Sequence, residues 1–497
     1  MVSVGLATTP VDDSNIRRLR EIIVYSTYHA ACVRTDFEMI TFLTILACGT
    51  SGQPTVTMPP IESQPNVIFI TLDTVRADAV GVYGGPDGIT PTIDALASRG
   101  VRFDWAYAHA PTTLASHSSM FTGMDLHGHQ VPRNGFPLSD SNTTIFETLQ
   151  EVGYDTLGVV AASVLSADMG MSQGFRLFDD EVRTDMGRRY EDRGDRVTRR
   201  ARRLIDQRDE SKPLALWVHY YDAHSPYTAP SDYQARFVNP EHAITEEAAS
   251  GHEVLADWIR SGTFPDEQMQ WLIGTYHSEV SWVDHQIDRL FEALEAEGLM
   301  ENSLIVITSD HGEMFGEQAD HPLGHGFEVD VWATRVPLII ARTGVNFDAP
   351  VITQPVKHSD IANTLMSMLG VPVTLGTGQD LTPLFSGGSL IGDPIFLEAT
   401  KPGIIEQSGE WNNRQKERGV VLGNSLYIES PLTRDEPTLY GVSEASGVMI
   451  QTPLDDESQQ RTLQESLSDW RDEAPDFREE QFSLETQSAL RALGYIE

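Results

Sequence analysis

The sequence predicts an α/β fold: a large, mostly parallel sheet sandwiched by helices, with a smaller C-terminal α+β subdomain. Three observations predict it. Near-continuous apolar runs of strand length recur at Asn66–Leu72, Pro213–Tyr221 and Leu304–Thr308, as in strands buried on both faces. Amphipathic helical stretches alternate with them, the pattern of repeated βαβ units. After about Gly376 the apolar runs shorten and the alternation stops. The chain's 497 residues suffice for one large domain and a satellite. The expected division is an N-terminal extension at 1–63, the α/β domain at 64–376 and the subdomain at 377–497.

In chain order, the first 63 residues lie outside the expected fold. Within them Ile40–Ala47 is a short apolar run directly before Cys48, and Gly49–Pro60 is a Gly/Ser/Thr/Pro tether. This resembles the end of a bacterial lipoprotein signal with Cys48 as the lipidated residue. Asp36 and Glu38 are unusual for such a signal, so two readings stand. One is an exported protein (periplasmic, secreted or lipid-anchored); the other is a cytoplasmic protein with an upstream extension. From Pro65 the alternation begins with the strand Asn66–Leu72, a short helix over Thr90–Gly100 and the strand Val101–Ala108. Ile145–Val152 reads as a helix stopped by Gly153, and Tyr154–Ala161 as the next strand. Arg183–Arg208 reads as a charged helix whose arginines form a solvated face. Asp266–Gly298 is a long helix, with Trp271, Tyr276, Val280, Val283, Ile287, Leu290 and Leu294 at core spacing. Val336–Ala341 is a further strand, and a helix opens at Asp360. In the subdomain, Pro394–Leu397, Gly419–Leu422 and Ser425–Glu429 read as strands and Ser458–Trp470 as a helix.

Composition narrows the function. A net charge of −38, from 73 acidic against 35 basic residues, disfavours nucleic acid and electrostatic docking on anionic lipid. The two cysteines, Cys32 and Cys48, exclude a disulfide framework and a cysteine-rich zinc site. No run approaches the roughly 20 apolar residues of a membrane span. A membrane link is therefore expected only through a lipid on Cys48.

Three segments carry the chemistry. Asp73 follows the strand Asn66–Leu72 directly, and ligands of open α/β sheets bind at such strand ends. Alone it would read as a helix cap. Asp310 and His311, however, follow a second buried strand, with Gly312 permitting a tight turn. Two carboxylates and an imidazole on strand ends make a mixed oxygen/nitrogen site for one divalent cation: Ca²⁺, Mg²⁺, Mn²⁺ or Zn²⁺. Between them Ala110–Gly123 reads as a nucleophile turn entering a helix, in which Thr112 and Thr113 supply hydroxyls that need a base or a metal for activation. His219, His224, His321 and His325 cluster after ligand-bearing strands and suit proton transfer or anion contact.

These segments, in this order and spacing over Pro65–Glu497, resemble the sulfatase family of the alkaline-phosphatase superfamily. The resemblance includes Thr90–Gly100, Thr122-Gly123, Tyr220–Pro226, Thr308–Glu313 and the closing Leu493-Gly494-Tyr495. It implies a hydrolase of sulfuric or phosphoric esters, acting on a small-molecule or glycan substrate, with Ca²⁺ the first choice of metal. It also implies Asp73, Asp310 and His311 as metal ligands, Thr113 at the nucleophile position and His224 as a substrate contact. The chain departs from the family pattern in several places. Thr113 replaces the Cys or Ser that becomes formylglycine, whose hydrated form expels sulfate by carbonyl re-formation. His117 takes the place of the arginine, Thr74 that of the second aspartate, with a possible ligand oxygen, and His325 is nearest to the missing lysine. A threonine ester of sulfate has no carbonyl exit, which tilts the chemistry toward phosphorus, as in phosphodiesterases, phosphonate monoester hydrolases and phospho-group transferases. A catalytically inactive anion- or glycan-binding relative is the alternative from another class.

Overall fold

A computed structural model describes residues 64–182, 192–244, 252–318, 322–348, 350–400, 416–430, 436–445 and 447–476. Cys48 and the N-terminal run, His321 and the closing Leu-Gly-Tyr lie outside them. Among the described residues no helix is long and apolar enough to cross a membrane.

The main sheet has nine strands: β1 (Asn66–Leu72), β2 (Val101–Tyr107), β3 (Asp155–Val159), β4 (Leu177–Asp179), β5 (Leu214–Tyr220), β6 (Ser303–Ser309), β9 (Arg335–Arg342), β10 (Val351–Ile352) and β11 (Val356–Lys357). Between β6 and β9, the strands β7 (Met314–Phe315) and β8 (Leu323–Gly324) form a separate two-stranded ribbon. The spatial order is β10-β2-β9-β6-β1-β5-β3-β4, with β11 also paired to β2. Every pairing is parallel except those of β9, which runs antiparallel to both β2 and β6.

Alternation along β1 feeds two cores. Val67 and Phe69 pack with Leu114, Phe121, Phe146 and Leu365 from helices on one face. Ile68, Ile70 and Leu72 pack with Ile93, Val197, Tyr276 and Ile287 from helices on the other. Each strand is thus buried on both sides, which is why its sequence reads as continuous rather than alternating. The charged helix seen in sequence is described over Gly194–Ile205, its arginines paired with Asp179, Asp192 and Asp195.

The C-terminal part is a five-stranded antiparallel sheet: β12 (Ile395–Ala399), β13 (Glu417–Leu422), β14 (Ser425–Glu429), β15 (Thr438–Ala445) and β16 (Val448–Pro453), in that spatial order. The helix Glu457–Asp472 covers it through Leu463 and Leu467. β15 and β16 are additions to the sequence reading, which saw no strands there because their side chains are largely exposed and their apolar alternation is weak.

His109 ties this sheet to the loop ahead of Thr113. Its Nδ1–H donates to Phe396 O at 2.9 Å, its Nε2 accepts from Ser359 Oγ at 3.0 Å, and its own carbonyl accepts from Glu398 N at 2.9 Å. Burial lowers its pKa from 6.5 to about 4, so the folded state holds it neutral. Above pH 6.5 neither folded nor unfolded chain protonates it. As the pH falls from 6.5 toward 4 the unfolded chain gains a proton that the folded one does not, and stability falls by up to about 3 kcal/mol. Denaturant unfolding at pH 7.5 and pH 5 is expected to show about 2 kcal/mol of this loss, and His109→Gln to flatten part of the slope.

Candidate active site

The register of three parallel strands builds the site. Leu72 at the end of β1 pairs with Tyr220 of β5 on one side and Ser309 of β6 on the other. The next residues, Asp73 and Asp310, therefore emerge side by side at the C-terminal edge of the sheet, both buried.

Asp310 Oδ1 accepts two backbone N–H groups, from His311 at 2.7 Å and Thr74 at 3.1 Å. Its Oδ2 is buried without a hydrogen-bond partner and lies 3.5 Å from His311 Nε2. His311 Nδ1 faces the Gly312 carbonyl at 3.0 Å and must donate to it. The neutral ring therefore presents its Nε2 lone pair toward a carboxylate oxygen. Two acceptors so placed repel unless a cation or a proton lies between them. Burial, and then the neighbouring Asp73 charge, push the Asp310 carboxyl well up, and burial keeps His311 neutral.

Asp73, His219 and Asp310 offer ligand atoms all within 4.8 Å of one another. The tautomers separate the two histidines. His219 Nδ1 accepts from Ala161 N at 3.4 Å, so the neutral ring carries its proton on Nε2, 3.4 Å from Asp73 Oδ2. His219 Nε2 thus faces Asp73 without a hydrogen bond, whereas His311 has the ligand-ready lone pair. Two carboxylates with one imidazole nitrogen fit a divalent cation.

Thr74 adds a strained element. It has φ 55°, the left-handed region that a β-branched residue rarely enters, and its Oγ1 is buried without a hydrogen-bond partner. Thr113 is the first residue of the helix Thr113–Thr122, buried, with Oγ1 donating to Asp73 Oδ2 at 3.4 Å. The next amide, Leu114 N, donates to Asn134 Oδ1 at 2.8 Å, which fixes the helix start. Ser116 Oγ donates to the Asp310 carbonyl and joins the same helix to the other strand end.

His325 and His224 extend the site outward. The His325 ring lies 4.4 Å from that of His311 and 5.0 Å from that of His224. His325 Nδ1 is 3.2 Å from Glu313 Oε1. Burial pulls its pKa down, but the carboxylates of Glu313, Asp73 and Asp310 outweigh this and leave it raised. His224 Nδ1 donates to Ser225 O at 2.7 Å, and its ring stacks on Tyr221 with centroids 4.4 Å apart.

His117 is the correction. Expected at the site in place of an arginine, it lies fully buried one turn into the helix. Its Nδ1–H donates to Thr113 O at 2.7 Å and its Nε2 accepts from Thr71 Oγ1 at 2.9 Å; that hydroxyl takes the Trp217 Nε1–H at 2.9 Å. Both ring nitrogens are engaged in the core because Thr113 precedes it by one helical turn and Thr71 faces it from β1. Sequence reading did not find Asn134, the Glu313 partner of His325 or the hydroxyl of Tyr276. Each acts through a contact distant in sequence or through a single unpatterned side chain. The Asp310–Glu313 run was the one local signal available for Glu313.

A family model described as Sulfatase matches residues 65–371. The uncharacterized sulfatase YidJ of Escherichia coli is 25% identical over 351 residues, covering 62% of this chain and 68% of that protein. The multifunctional alkaline phosphatase superfamily protein PehA of Trinickia caryophylli is 24% identical, covering 66% of this chain and 78% of its own length. Among solved structures, the phosphonate monoester hydrolase of Agrobacterium radiobacter aligns with a TM-score of 0.62 at 21% identity, over 87% of this chain and 96% of that one. BT4656, solved with its substrate D-glucosamine-2-N,6-O-disulfate, gives 0.61 at 20% identity, over 84% and 100%. At these identities the structural matches establish the fold alone.

The buried acid pair makes a separable prediction. Asp310→Asn removes like-charge repulsion, so in chelator the variant is expected to melt at or above the native temperature. The rise in melting temperature that a divalent cation gives the native chain is expected to vanish. Thermal melts with and without cation check both halves.

Proposed function

Because the chain belongs to the Sulfatase family, we propose that it is a hydrolase of sulfuric or phosphoric esters that depends on a divalent cation and uses Thr113 as nucleophile. One observation carries this reading: Thr113 Oγ1 meets Asp73, whose carboxylate lies with that of Asp310 and the His219 ring, while the His311 lone pair faces Asp310 Oδ2.

Asp73, Asp310 and His311 would hold the cation, with Thr74 Oγ1 as a further oxygen; Ca²⁺ is the first candidate, and Mg²⁺, Mn²⁺ and Zn²⁺ suit the same donors. When bound, it supplies positive charge that lowers the pKa of a neighbouring hydroxyl and offsets charge on the ester's oxygens. The chain's residues do the rest. Asp73 accepts the Thr113 hydroxyl's hydrogen bond and takes its proton as Oγ1 attacks, with the His219 ring facing it. His117 and Asn134 fix the first helical turn, so Thr113 Oγ1 is held for in-line attack. His325, whose proton the Glu313 carboxylate stabilises, supplies the proton to the departing ester oxygen, and His224 beside it contacts the anion. Water then cleaves the threonine ester, giving one proton to His325, and the proton held at Asp73 returns to Thr113 Oγ1 and restores the hydroxyl.

Threonine favours phosphorus. It has no route to an aldehyde that could expel sulfate, whereas a threonine phosphoester is opened by water at phosphorus. Relatives named for substrates include an N-acetylglucosamine-6-O-sulfatase and an ulvan-active sulfatase, so a small-molecule or glycan ester is the proposed substrate class.

The test is turnover of nitrophenyl sulfate, nitrophenyl phosphate, bis-nitrophenyl phosphate and a nitrophenyl phosphonate monoester, with each divalent cation in turn. Thr113→Ala is expected to lower kcat/KM about a thousandfold or more. Turnover unchanged by that substitution would remove the proposed nucleophile. Inertness toward every ester with every cation would favour an anion-binding protein instead. His325→Ala is expected to lose about 100-fold or more on esters with poor leaving groups and little on nitrophenyl esters, which need no proton.

A further inference from the structure

Tyr276 lies in the long helix Asp266–Ala296 and is buried, at core spacing. Its hydroxyl nevertheless bridges two backbone groups of the turn after β1. It accepts from Arg76 N at 2.9 Å and donates to Thr74 O at 2.9 Å. Thr74 is the left-handed residue of that turn, and its N–H is one of the two that hold Asp310 Oδ1. The Tyr276 ring also meets Phe315 of β7 at 4.9 Å and Tyr227 at 5.8 Å between centroids. Tyr227 lies three residues past His224, and β7 pairs with β8, which directly precedes His325. One side chain thus touches the turn after β1, the ribbon that leads to His325 and the loop after His224.

We propose that Tyr276 is a positioning residue for the cation-binding turn. By bridging Arg76 N–H and Thr74 C=O, its hydroxyl holds Thr74 in the left-handed conformation, which keeps the Thr74 N–H on Asp310 Oδ1 and leaves Oδ2 for the cation. This rests on the reading of Asp73, Asp310 and His311 as cation ligands. A threonine in this conformation returns to an extended or right-handed one unless its surroundings forbid it. The bridge supplies that restraint from a rigid helix, as outer contacts of metal ligands commonly do.

The experiment is calorimetric titration of the full chain with Mn²⁺ and with Ca²⁺, beside turnover of an activated ester as a function of cation concentration. Tyr276→Phe keeps the ring and removes the bridge. It is expected to weaken cation affinity about 10–100-fold, with turnover recovering as cation is raised. In a Thr74→Gly background, where glycine takes the left-handed conformation without restraint, the same substitution is expected to change affinity less than about 3-fold. Phe315→Leu disturbs the ring packing but not the hydroxyl, and is expected to leave affinity within about 3-fold.

Three results would overturn the proposal alone: unchanged affinity in Tyr276→Phe, an equal loss in both Thr74 backgrounds, or an equal loss in Phe315→Leu. Failure of the native chain to bind either cation would overturn the ligand reading as well, which separates the two failures.

Discussion

Two carboxylates buried side by side constrain everything around them. Asp73 and Asp310 are adjacent because β1 and β6 are neighbouring parallel strands in register, not because of any local motif. A pair of acids in such a place is unfavourable until it is protonated or faced by positive charge. The surrounding sequence is organised to direct the pair rather than dissolve it. Backbone amides take one oxygen of Asp310, the His219 ring faces Asp73, and His311 has its proton fixed away from the centre by a carbonyl. Thr113 and the two outer histidines then make sense as groups placed around a centre of charge.

The helix Thr113–Thr122 follows from the same constraint. Its first residue must reach Asp73, and its first turn must not shift. Asn134 holds the Leu114 amide, Ser116 is tied to the Asp310 carbonyl, and His117 links Thr113 O to Thr71 on β1. The helix is locked both to the strand that ends in Asp73 and to the one that ends in Asp310. His117, standing where the related pattern has an arginine, therefore serves the core instead of meeting an anion.

What sequence could read was local. Asp73, Asp310 and His311 each follow an apolar strand, and the family resemblance put Thr113 at the nucleophile position, so four candidate residues had positions before the structure. The antiparallel direction of β9 was not, because a strand buried on both faces has the same pattern in either direction. Tyr276 was visible only as a core residue at helical spacing. Its hydroxyl matters because Thr74, two hundred residues earlier, adopts a backbone conformation that no threonine announces. The exposed strands β15 and β16 offered no apolar alternation to read.

A charge centre of this kind is what would make an ordinary threonine a nucleophile. The most direct measurement is acid quenching during turnover of an activated ester, followed by peptide mapping by mass spectrometry. The expected result is a phosphoryl or sulfuryl group on Thr113, formed only with a divalent cation present and absent from the Asp310→Asn chain. Continued turnover with no modified Thr113, or the same group on another residue, would contradict it.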